Sequence, residues 1–119
     1  MGMTKELAVT AGLRYYDGVV DVALLPGVSH VDVASNIYSS GTVDLSSSRE
    51  AIPMGEVSSP GYAIFENLGD NDLSLANDLT SSAYTVLKKG QSAMLPMGSA
   101  TPHGWSTSGS KLRFLIFSV

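Results

Sequence analysis

The groups in this chain best suited to moving protons near neutral pH are its two histidines, His30 and His103. His103 stands in "TPHGW" (101–105), a polar Gly/Ser-rich stretch, two residues before Trp105, the only tryptophan. A general base must lie within hydrogen-bond reach of a nucleophile or a substrate proton. Hydroxyls are so abundant here that a Ser-His-Asp set cannot be singled out by composition, and no G-x-S-x-G elbow is present. His30 alternates with Val31 and reads as a surface or partly buried strand residue. The two histidines lie far apart, without the H-x-H or H-x-x-x-H spacing of a metal site. There is no cysteine, which excludes thiolate catalysis, disulfides and Cys-based zinc sites. The expectation is a protein with no catalytic residue, no metal and no cofactor.

Three further groups invite a ligand. Asp70, Asn71, Asp72 and Asp78 in "DNDLSLAND" (70–78) offer oxygen ligands for calcium. An EF-hand loop, however, wants Gly and Glu where Leu75 and Ser81 stand, and a turn explains the same residues. Trp105, with the tyrosines at 15, 16, 38, 62 and 84, could supply a stacking platform for sugar. The tyrosines mostly fall at strand positions, where half-buried packing is the ordinary use of that side chain. "LKKGQ" (87–91) is basic but lacks the Gly-rich loop and helix of a phosphate cradle, and reads as a turn.

Composition narrows the partners. The net charge is −4, and the seven Lys and Arg are spread thinly, with Lys88-Lys89 the only adjacent pair. Nucleic-acid binding draws on a basic stripe that is missing here. The N-terminal "MGMTKELAVT" lacks the apolar core of a signal peptide, and no apolar run reaches the length of a membrane helix. The expectation is therefore no nucleic acid and no membrane. Only 15% of residues are charged, against about 25% in ordinary domains. A surface so poor in charge is expected to face protein over part of its area.

The elements that must hold these residues are strands. Gly, Pro, Asn, Asp and Ser clusters recur every eight to twelve residues or so, a spacing that suits sandwiches and barrels. Between them lie "LAVT" (7–10), "LRYY" (13–16), "VVDVALL" (19–25), "SHVDVASNIY" (29–38), "YAIFENL" (62–68), "LSLAN" (73–77), "YTVLKKGQ" (84–91), "SAMLPM" (92–97) and "LRFLIFSV" (112–119). Tyr62, Ile64 and Leu68 are expected on one face, with Ala63, Phe65 and Asn67 on the other. "GDND" (69–72) reads as the turn of a hairpin. Segment 77–89 is the one weak helix candidate, and its Ser, Thr and Val favour a turn and strand. The expected fold is all-β: one antiparallel β-sandwich over residues 1–119, jelly-roll-like, with a Ser/Gly/Pro-rich loop or arm at 39–61 and a second loop at 98–110.

The last strand raises a problem of shelter. Leu112, Phe114 and Ile116 alternate with Arg113, Leu115, Phe117 and Val119, and a sandwich strand shows only one face to the core. If the first set fills the core, Leu115, Phe117 and Val119 need another cover, and burying each is worth about 1.5–3 kcal/mol. The 39–61 segment could supply it, or a second chain. Leu115, Phe117 and Val119, with Ile52, Met54 and Val57 of the arm, are the expected interface residues. Residues 1–6 are a second candidate arm.

Order and spacing in the second half resemble small β-sandwich structural proteins of tailed-bacteriophage virions, especially capsid decoration or cement proteins. Asn67, Gly69, Leu73 and Leu75, then Leu87, Gly90, Leu95 and Pro96, match a hairpin of the "I-x-N-x-G-x-x-x-L-x-L" kind followed by an "L-x-x-G-x-x-x-x-L-P" strand pair. The resemblance implies a non-enzymatic protein, made in a host bacterial cytoplasm, that binds the assembled capsid and bridges its subunits. Its implied partners are the major capsid protein and copies of itself, as a dimer or trimer. A phage tail or fibre component, or a carbohydrate-binding module using Trp105, are the alternatives.

Overall fold

A computed structural model describes residues 6–16, 21–32 and 37–118, with side chains described at Thr10 and from Ile37 onward. The chain divides into two compact units, Met1–Ala34 and Ser35–Val119. Every regular element among the described residues is a strand. No helix there is long and apolar enough to cross a membrane.

The first unit holds two antiparallel strands, β1 (Glu6–Tyr16) and β2 (Asp21–Asp32). The sequence suggested breaks at Ala11-Gly12 and at Pro26-Gly27. Each strand instead runs through its Gly, and the register shifts there, between Ala11 and Leu13. A bulge absorbs what reads in the sequence as a stop.

The second unit contains β3 (Tyr38–Leu45), β4 (Glu50–Ala51), β5 (Pro60–Asn67), β6 (Leu73–Ala76), β7 (Thr85–Leu87), β8 (Ser92–Pro96), β9 (His103–Trp105) and β10 (Ser110–Ser118). They form two antiparallel four-stranded sheets, ordered β3-β10-β5-β8 and β4-β9-β6-β7. Their inner faces share one apolar cluster, in which Phe65, Leu112 and Ile116 of the first sheet meet Leu73 and Leu75 of the second, all fully buried. Gly104 permits this approach, because a Cβ there would come within 2.9 Å of Leu45 Cδ1.

Apart from the β6–β7 pair, consecutive strands alternate between the two sheets. "GDND" therefore does not close a hairpin: β5 and β6 belong to different layers, and so do β7 and β8. With this alternation the winding is compatible with a jelly roll. The 39–61 segment is not a free arm either. Residues 42–45 pair at the edge of a sheet as part of β3, and Ile52 N donates to Pro102 O at 2.9 Å. The loop expected at 98–110 contains β9.

Candidate interaction face

Alternation along β10 decides what each sheet face presents. Leu112, Phe114 and Ile116 point into the core at 5% exposure or less, so Arg113, Leu115 and Phe117 point out. Register extends those three positions into rows across all four strands. Tyr38, Phe117, Tyr62 and Pro96 form one row; Ser40, Leu115, Ile64 and Met94 the next; Thr42, Arg113, Glu66 and Ser92 the third.

The first two rows are largely apolar. Tyr38 is 57%, Ile64 40% and Met94 37% exposed, while Leu115, Phe117 and Tyr62 are half-buried. The rings of Tyr38 and Phe117 pack with centroids 5.4 Å apart and planes tilted by 31°, a cross-strand aromatic pair that stiffens the row. The third row is polar, and Arg113 donates through its guanidinium to Glu66 Oε1. Two largely apolar rows are thus bordered by a polar one.

The expected interface residues separate into two groups. Leu115 and Phe117 lie on this outer face. Val119 lies outside the described residues, as do the first five residues of the proposed N-terminal arm. Ile52 and Val57 are buried at 1% and 3%, and Met54 packs against the same core, so the expectation that they face a neighbour is corrected. Their apolar side chains had a better outlet close by, under the sandwich's own edge. Sequence reading missed Tyr38 and Met94 as members of the face. Only cross-strand register brings them beside Phe117 and Ile64.

Trp105 is half-buried, and the Arg49 guanidinium carbon sits 3.9 Å from its ring centroid. Arg49 also donates from one Nη to the carbonyls of Asp78 and Ser81, at 3.1 and 2.7 Å. One face of the indole that would stack on sugar is thus already stacked on a cation tied to the 77–84 loop. His103 is buried, and its Nδ1 lies 2.9 Å from the carbonyl of Thr101. A carbonyl can only accept, so Nδ1 carries the proton and this bond fixes the orientation of the ring.

The acidic residues do not converge. Asp72 pairs with Lys88 at 3.1 Å and Asp70 with Lys89 at 3.0 Å, both exposed. Asn71 donates to the carbonyls of Ser108 and Gly109. Asp78 accepts from the Ser81 and Thr80 amides and from the Ser81 hydroxyl. Those bonds favour its charged form and lower its pKa to about 2. Among the described residues no three metal-ligating side chains gather.

Asn67 holds the layers together at this end. Its side-chain amide donates to the carbonyls of Asn71 and Leu87, at 2.8 and 2.9 Å, and its Oδ1 accepts from Gly69 N and Ser110 Oγ. Gly69 is required by close approach: a Cβ there would lie 2.1 Å from Ser110 Oγ and 2.8 Å from the backbone N of Lys111. The "N-x-G" spacing is explained by this junction between sheets, without any ligand. No family model, curated protein or solved structure matches the chain.

Proposed function

We propose that this chain is a non-enzymatic structural protein of a bacteriophage virion, a capsid decoration or cement protein that binds the assembled shell and bridges its subunits. The observation that carries the assembly part of this reading is the outer face of the β3-β10-β5-β8 sheet, with two largely apolar rows presented by a closed sandwich. The virion part rests on the residue spacing of the second half alone, since β5 and β6, and β7 and β8, belong to different sheets and do not form the strand pairs that the resemblance implies. Low charge supports both, since a protein that is buried in an assembly needs fewer solvated groups. The mechanism is added contact area: each copy touches several shell subunits, so release must break many contacts together.

The carboxylate geometry supports the non-enzymatic reading, because Asp70 and Asp72 pair with lysines and Asp78 with its own turn. The cation over Trp105 makes the carbohydrate module the weaker reading. Co-sedimentation with assembled shells of the phage that encodes the chain is the test. The chain is expected to pellet with shells, and the Ile64→Lys variant, which loses the contacts of the apolar face, to pellet more weakly. A chain that never pellets with shells refutes the proposal.

A further inference from the structure

We propose that the outer face of the β3-β10-β5-β8 sheet pairs with the same face of a second copy, about a twofold axis that runs parallel to the strands between β10 and β5. The inference rests on the reading of this face as an interaction face and names its occupant.

The argument is one of register. Cross-strand partners lie at the same height along the strands. A twofold axis parallel to the strands preserves that height and exchanges left for right. Each row therefore meets itself reversed. Leu115 of one copy lies over Ile64 of the other, Phe117 over Tyr62, and Tyr38 over Pro96. In the third row Arg113 meets Glu66 and Glu66 meets Arg113, so both ends of the ion pair gain an opposite charge across the interface. No row sets like charge against like, and large apolar side chains meet their own kind. Twist rotates the two sheets by about 30° in such face-to-face packing, which leaves the central β10 and β5 contacts in place.

Size sets the strength. Four strands about 4.8 Å apart and three rows about 7 Å apart give a footprint of roughly 400 Å². Standard interfaces bury about 800 Å² on each partner. The pairing accordingly belongs to the weak class, populated at high concentration or when copies are held close on a larger surface.

Sedimentation analysis of the full chain, from low to high micromolar concentration, reads the outcome directly. Wild type is expected to shift from monomer to dimer across that range. Arg113→Glu and Glu66→Arg, each alone, place four like charges together in the paired third rows and should weaken the dimer about tenfold or more. An equimolar mixture of the two single variants should recover it as a heterodimer, and so should the Arg113→Glu/Glu66→Arg double variant alone. Circular dichroism checks that each variant is folded. A wild type that stays monomeric, a dimer indifferent to Ile64→Lys, or single variants that fail to complement each other overturn the twofold pairing. If wild type stays monomeric yet still pellets with phage shells, the structural reading stands and the face belongs to the shell.

Discussion

Ser110 donates its hydroxyl to Asn67 Oδ1 at 2.7 Å, joining the first residue of β10 to the last of β5 through a buried side chain. The same amide reaches the carbonyls of Asn71 and Leu87, so one side chain satisfies polar groups from three segments, β10, the 69–72 turn and β7. A buried polar group left without a partner costs about 1–3 kcal/mol. Asn67→Ala strands several at once and is expected to destabilise the sandwich by roughly 3 kcal/mol or more. Urea unfolding followed by circular dichroism measures this. A loss under about 1 kcal/mol would mean that water replaces the amide.

How much of this was legible beforehand depended on the period of the signal. Alternation assigned Ile64 and Phe65 to opposite faces, and Leu112, Phe114 and Ile116 to the core, because a side chain's face follows from its neighbours in sequence. Which sheet a strand joins is not a local property. "GDND" has the composition of a hairpin turn, yet the chain crosses between layers there, since Leu73 and Leu75 complete the core only from the opposite sheet. The Ser/Gly/Pro content of 39–61 likewise concealed the burial of Ile52 and Val57, and the backbone partner of Ile52, Pro102, lies far along the chain. The interaction face was half legible: Leu115 and Phe117 declared a surplus of apolar surface, but its neighbours Tyr38 and Met94 needed register.

Arg49 links the Trp105 ring to the carbonyls of Asp78 and Ser81. Arg49→Ala is expected to cost about 1 kcal/mol, the range of a partly exposed cation–π contact with its hydrogen bonds. It should also expose the indole, shifting Trp105 emission to the red and raising its quenching by iodide. Arg49→Lys keeps the charge but loses the flat stacking and the forked donors, so it should rescue only part of the effect. Unchanged emission in both variants would show that the guanidinium does not cover the ring.

Partial desolvation of its phenol pushes Tyr84 up to about 12, and because the residue keeps 39% exposure, solvent weakens the effect on stability. Its folded value stands above the ordinary value of 10, so the neutral phenol is favoured in the folded state. The stabilisation is complete below pH 10, where both states keep the proton. It declines as pH rises toward 12, because the unfolded chain ionises first, and it is gone above that. Denaturation midpoints should therefore fall between about pH 10 and 12, and Tyr84→Phe should fall less steeply over the same window. Parallel declines would remove Tyr84 as the cause.

Ile64 and Ile116 lie on neighbouring strands, yet one is 40% exposed and the other fully buried. Substituting each tests the separation between folding and binding. Ile116→Ala opens a cavity in the shared core and should cost about 2–5 kcal/mol. Ile64→Lys changes only the outer face and should leave stability within about 0.5 kcal/mol, while it removes association with whatever protein surface the face binds. A lysine there places a solvated charge in the middle of the second row, against Leu115 and Met94. If Ile64→Lys lowered the unfolding midpoint as far as Ile116→Ala does, the outer face would be part of the chain's own packing and the assembly reading would lose its support. If it abolished association with the midpoint unchanged, the apolar rows would be surface held for a partner, since nothing in the sandwich's own stability would require them.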